Sequence, residues 1–168
     1  IVKYVYGLLL QRSTLQLIQS ARDRLCERQR LTFYSDGSLI NLGTEQVSAA
    51  FGVTLMMDTG SFAPVIRGRV DGYATSAIAD LCGLLATILV SPRNIPIEVH
   101  IDNNSVVHNF QALVKGRNSA TARQRLRSAD AQWWAMVHYA YQSQGMMVNV
   151  KWVKGHAGNL GTPAADKL

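Results

Sequence analysis

The sequence predicts an α/β fold on a mixed sheet, with the first three strands antiparallel and parallel pairing after them. Three observations carry this. Three strand-like stretches, Thr32–Ser38, Val47–Met56 and Val65–Val70, follow one another with short Gly-bearing connections, the pattern of an antiparallel meander. A helix-spaced stretch, Ser76–Val90, then leads through a short Pro-bearing loop to the strictly alternating Ile97–Asp102. A strand–helix–strand path of this kind closes by a right-handed crossover, which sets the new strand parallel to an earlier one. Finally, acids recur along the elements: Asp36 and Asp102 end strands, Asp80 sits on the Ser76–Val90 helix, and Asp166 begins a last helix.

Composition bounds the rest. The chain has 168 residues, 48% hydrophobic and 17% charged, enough for one domain with a core and too apolar for a disordered segment. A formal net charge of +6 favours a polyanionic partner, of which nucleic acid is the commonest. The two cysteines, Cys26 and Cys82, have no metal-ligand spacing; both are expected to be buried thiols on apolar helical faces, and a reducing, intracellular compartment (nucleus or cytoplasm) fits. The apolar run Val5–Leu10 is far too short to span a bilayer, so no membrane partner is expected. Beginning at Ile1 and ending at Leu168 in helix-like sequence, the chain is expected to be a piece of something longer, acting as a monomeric domain within it.

In chain order, Leu8–Arg30 reads as one helix with Leu10, Leu17, Ala21 and Leu25 as its apolar stripe. It is assigned to an N-terminal extension or the end of a preceding domain, residues 1–30, with the compact domain covering 31–168. Asn41-Leu42-Gly43 is a turn signal after the first strand. The apolar stripe of Ser76–Val90, formed by Ile78, Leu81, Leu84, Leu85 and Ile88, is expected to cover one face of the sheet. After Ile97–Asp102 come a helix from Ser105 to Val114 and a basic stretch from Lys115 to Arg127. A second helix, Ala129–Gln144, has Trp133 and Trp134 as packing residues on its apolar stripe, and Met147–Val153 is the last strand. Lys154–Gly161 is a Gly-rich loop holding His156, and Thr162-Pro163 is a helix start that places Asp166 on or just past the first turn. His100, His108 and His138 lie on regular elements and receive no role.

The acids point to chemistry. If the Ile97–Asp102 strand lies beside the first strand, Asp36 and Asp102 stand at C-terminal strand ends, where open α/β sheets place their ligands. Asp80 sits between Ala79 and Leu81 on a largely apolar helix, where an acid must be paired, exposed or bound to metal. Carboxylates gathered at one sheet edge repel unless a cation lies between them. An all-oxygen donor set suits Mg²⁺ or Mn²⁺, and two such ions about 4 Å apart can activate a water and stabilise the leaving oxygen of a phosphodiester.

Three stretches then carry a family resemblance. Tyr34-Ser35-Asp36-Gly37-Ser38, Ile101-Asp102-Asn103-Asn104-Ser105 and the run from Lys151-Trp152-Val153-Lys154-Gly155-His156 to Ala165-Asp166 resemble the acid-bearing motifs of the ribonuclease H (type 1-like) domain. The resemblance covers roughly Leu31–Leu168. It implies a five-stranded mixed sheet with helices on both faces and Asp36, Asp80, Asp102 and Asp166 as carboxylates for two Mg²⁺ (or Mn²⁺) ions. It also implies His156 as an aid to proton movement or product release. The implied reaction is hydrolysis of the RNA strand of an RNA–DNA hybrid, leaving a 5′ phosphate, with RNA told from DNA through its 2′-hydroxyls. On this reading Gly37, Ser38, Asn103 and Asn104 lie along the hybrid, and Lys115, Arg117, Arg123, Arg125 and Arg127 grip its phosphates. A parent chain of retroelement origin fits.

The chain departs from the family pattern at two places. The helical acid of the family is normally Glu, and Asp80 is one methylene shorter; Thr162-Pro163 stands where the family has Asn-Glu. The alternative reading is therefore a catalytically impaired ribonuclease H-like module that binds nucleic acid without cutting it. A transposase or integrase core shares the fold, but the Gly155-His156 loop argues against it.

Overall fold

The computed structural model describes residues 12–71, 75–116 and 130–155. Within them the chain forms α1 (Arg12–Leu25), β1 (Leu31–Ile40), β2 (Ser48–Met56), β3 (Phe62–Asp71), α2 (Ser76–Val90), β4 (Ile97–Ile101), α3 (Asn104–Val114), α4 (Ala131–Gln144) and β5 (Val148–Trp152). The strands make one five-stranded sheet in the order β3-β2-β1-β4-β5. β1 pairs antiparallel with β2, and β2 with β3; β1 pairs parallel with β4, and β4 with β5. The mixed sheet is thus the one the sequence predicts, and the crossover through α2 lays β4 beside β1 in the register Phe33↔Val99 and Ser35↔Ile101.

α2 is the element around which the core assembles. Thr75 caps it, its side chain accepting from the Ile78 amide at 3.1 Å. Leu81, Leu84, Leu85, Ala86 and Ile88 are all buried, because β1 and β2 pack on one side of the helix while α1, α3 and α4 close the others. A helix apolar nearly all round can exist only when it is enclosed in this way. Truncating one of its leucines to alanine removes about 2–5 kcal/mol by lost transfer energy and the cavity left behind.

Strand alternation sets the two faces of the sheet. Leu31, Phe33, Ile97, Val99 and Ile101 are buried on the α2 side. Tyr34, Glu98, His100 and Lys151 occupy the alternate positions. Tyr34 stacks on His100 with centroids 4.5 Å apart and meets Phe62 edge-on at 5.2 Å. Lys151 donates to Glu98 at 2.7 Å, and His100 Nε2 lies 2.7 Å from the other Glu98 oxygen. These partners, Lys151 first, hold the Glu98 carboxyl below its ordinary range. The described helices α1, α3 and α4 all lie against α2 and hence on its side of the sheet. The helix expected after Thr162-Pro163 falls outside the described residues.

Several local expectations are corrected. β1 does not stop near Ser38 but runs to Ile40, because β2 keeps pairing with it after β4 has ended. β3 begins at Phe62, its Pro64 tolerated because the strand is an edge. In α1 the buried positions are Ile18, Ala21 and Leu25, while Leu17 is 51% exposed; the inward stripe passes one residue to the side of Leu17. Through these three residues α1 joins the same core as the sheet. Cys82 is buried, but Cys26 lies just past the end of α1 and is exposed, its thiol donating to the Asp23 carbonyl. Trp133 is buried as a packing residue, and Trp134, half-buried, donates its indole N–H to Asp130. Among the described residues no helix is long and apolar enough to cross a membrane.

Candidate metal centre

Three separate segments deliver the acids. The parallel ladder between β1 and β4 ends at Ser35↔Ile101, so Asp36, still within β1, and Asp102, just past β4, are the next residues. Asp36 therefore stands in the middle of β1, at the end of its parallel pairing rather than at the end of the strand. The backbone at Asp102 is held by Trp152, whose indole N–H donates to the Asp102 carbonyl at 3.0 Å. Asp80, in the second turn of α2, comes up from beneath. Gly37 makes that approach possible: a β-carbon there would lie 2.5 Å from the Asp80 nitrogen and 2.6 Å from the Ala79 carbonyl carbon, so a side chain would hold the helix off the strand.

The result is a triad. One carboxylate oxygen from each of Asp36, Asp80 and Asp102 lies within 4.8 Å of the other two. At this spacing each pair of ionised groups repels by about 3 kcal/mol at an effective dielectric constant near 20. Asp80 is only 4% exposed. Burial first, then the charge of Asp102, pushes its carboxyl up to about 6, against the opposing pull of the Asn103 amide and the Gly37 backbone. Asn103 donates to Asp80 Oδ2 at 2.8 Å, whereas Asp80 Oδ1 is buried with no hydrogen-bond partner. A buried, unsatisfied carboxylate oxygen next to two further carboxylates fits a divalent cation, and donors that are all oxygen fit a hard one. Gly155 borders the same site: a β-carbon there would sit 2.5 Å from Asp102 Oδ2.

The structure thus brings together Asp36, Asp80 and Asp102 from the predicted set. Gly37 lies at the contact between β1 and α2, Ser38 is exposed two residues beyond Asp36, and Asn104 opens α3 on the surface. Lys115 is exposed at the C-terminal end of α3. His156, Asp166, Arg117, Arg123, Arg125 and Arg127 lie outside the described residues, as does Thr162-Pro163. The Asn103 side chain bonds within the protein: its amide nitrogen serves Asp80, and its oxygen caps α3 by accepting from the Ser105 and Val106 amides at 3.1 and 3.3 Å. The cap was readable in the sequence, since Asn before a helical run is a strong N-cap. The link to Asp80, 23 residues away, was not.

Comparison with known proteins agrees with this fold. The family model RNase H matches residues 28–168. The solution structure of the PFV (prototype foamy virus) RNase H domain superposes with a TM-score of 0.61 at 17% identity, covering 82% of this chain and 90% of that one. The foamy viral protease-reverse transcriptase in complex with RNA/DNA hybrid gives 0.64 at 13% identity; 82% of this chain matches 19% of that much longer one. The N-terminal RNase H domain of a Mycobacterium tuberculosis protein gives 0.55 at 20% identity, covering 84% and 91%. No curated relative matches the chain.

Proposed function

Since the chain belongs to the RNase H family, we propose that it hydrolyses the RNA strand of RNA–DNA hybrids, leaving 5′ phosphates, with two Mg²⁺ or Mn²⁺ ions held by Asp36, Asp80, Asp102 and Asp166. The observation that carries the reading is the triad itself, with its buried and unpartnered Asp80 oxygen. Bound there, the cations would supply an activated water and charge neutralisation at the scissile phosphate. The chain's own residues do the rest. Asp36 and Asp102 present carboxylates from neighbouring strands, and α2 sets the third beneath them. Trp152 fixes the backbone at Asp102. His156 is the proposed aid to proton movement or product release, and Asp166 the fourth carboxylate.

The net charge of +6 supports a hybrid as the partner, with Gly37, Ser38, Asn103 and Asn104 along it and Lys115, Arg117, Arg123, Arg125 and Arg127 on its phosphates. That a foamy viral protein of this fold was solved with RNA/DNA hybrid supports the same substrate class and a retroelement-derived parent chain. The rival reading, a module that binds without cutting, would suit an Asp80 turned away from its neighbours; its position within 4.8 Å of both favours the enzyme.

The deciding experiment is cleavage of a labelled RNA–DNA hybrid in Mg²⁺ and then Mn²⁺ by the wild type, Asp102→Asn and Asp80→Glu. Cleavage by the wild type that disappears in Asp102→Asn is the expected result. A folded wild type that binds the hybrid and leaves it intact in both metals would establish the binding module instead.

A further inference from the structure

Asp80 reaches the triad on a short side chain from a tightly packed helix, in which Ala79, Leu81, Cys82 and Leu84 around it are fully buried. Where its carboxylate points is therefore set by two side-chain torsions and by whatever bonds the oxygens. Among the described residues the side chain that bonds it is Asn103. We infer that Asn103 is a positioning residue for the metal centre: its amide clasps one oxygen of Asp80 and orients the carboxylate toward Asp36 and Asp102, tying α2 to the β4–α3 junction. The inference rests on the metal-binding reading of the triad given above.

The geometry leaves Asn103 little freedom. Its Oδ1 accepts from the Ser105 and Val106 amides, and its Nδ2 donates to Asp80 Oδ2 at 2.8 Å. Turning the amide over would set oxygen against oxygen at Asp80 and nitrogen against two donors at the helix start, losing every one of these bonds. One side chain thus caps α3 and serves the acid site at once. Because Asp102 immediately precedes it, the clasp also sets the spacing between Asp80 and Asp102 through a single peptide unit. Serine and threonine cap a helix but are too short to reach Asp80, and aspartate caps but offers Asp80 an acceptor instead of a donor.

Serine therefore separates the two roles. Asn103→Ser keeps a competent cap, so the unfolding midpoint should stay close to that of the wild type. Its affinity for Mn²⁺, measured by calorimetry without substrate, should fall about tenfold or more, the usual cost of removing a partner that orients a metal ligand. In an Asp80→Glu background the longer side chain carries the carboxylate past the amide, and the penalty of Asn103→Ser should shrink. Equal Mn²⁺ affinity in Asn103→Ser and the wild type would overturn the inference, as would an equal penalty in both backgrounds. A wild type that binds no Mn²⁺ would overturn the metal reading itself and this inference with it. A third measurement needs no variant. The Asn103 side-chain amide signals of the ¹⁵N-labelled wild type should shift during a Mg²⁺ titration over the range in which the metal binds, and signals that stay still would equally overturn the inference.

Discussion

The position a β-carbon would take on Gly37 lies 2.5 Å from the backbone nitrogen of Asp80. The strand carrying the first acid and the helix carrying the second therefore touch backbone to backbone. Because the obstructing atoms belong to the main chain of a fully packed helix, a side chain at residue 37 cannot be absorbed by a rotamer change. Gly37→Ala should destabilise the fold by about 1–3 kcal/mol, the range for forcing extra atoms into a packed interior. It should also weaken Mn²⁺ binding by lifting Asp80 away from Asp36. Urea unfolding and metal calorimetry on the same variant check both; unchanged values would mean that α2 slides more easily than its packing implies.

Asp80 imposes a pH dependence on the metal-free protein. Its folded-state pKa of about 6 lies above the ordinary 3.8, so between those values the folded state holds a proton that the unfolded state has released. The stability contributed by this carboxyl is full below about pH 3.8 and declines as pH rises to about 6. The loss corresponds to about 3 kcal/mol at neutral pH. Asp80→Asn keeps an acceptor for the Asn103 amide and has no charge to bury. With EDTA present it should become progressively more stable than the wild type between pH 4 and pH 7, measured by urea unfolding. Mg²⁺ should close the gap by stabilising the wild type alone, at the cost to the variant of its metal site. A gap independent of pH would show that desolvation of Asp80 is not its cause.

The two thiols should differ in reactivity. Cys26 is exposed beyond α1, whereas Cys82 is fully buried and its thiol is pushed up by burial and by the charge of Asp80. A thiol-specific chromogenic reagent should label Cys26 promptly in the native protein and Cys82 only at the rate of unfolding. Prompt labelling of both would mean that α2 opens far more readily than its enclosure suggests.

How far the sequence could be read depended on how local each signal was. Ser76–Val90 was legible to the residue because it is apolar nearly throughout and bounded by Thr75 and the Ser91-Pro92 break. Ile97–Ile101 was legible from strict alternation, and its parallel sense from the strand–helix–strand path, while its place beside β1 comes from the structure. The turn at Asn41-Leu42-Gly43 appears as positive φ at Asn41 and Gly43. The end of β1 lies beyond Ser38 because pairing with β2 continues from Gly37↔Phe51 to Ile40↔Ser48, a contact that no local pattern in the strand names. Leu17 was misplaced because an inward stripe is defined by what the helix packs on, which helical spacing alone does not name.

The sequence by itself determined the order of the described elements, the mixed pattern of strand pairing and which of them carry Asp36 and Asp80, with Asp102 just past β4. Periodicity, turn chemistry and crossover handedness are properties of short segments and their succession. The tertiary structure alone decided which atoms meet across distance. It set Asp80 against Gly37, gave the Asn103 amide to Asp80 and left one oxygen of that acid unsatisfied. In the same way it made Gln144 a clasp between the starts of β4 and β5, donating to the Ile95 carbonyl at 2.6 Å and accepting from the Met147 amide. Most of these contacts join residues tens of positions apart, and their geometry follows from how closely backbones approach in the packed core. No local pattern in the chain encodes that distance.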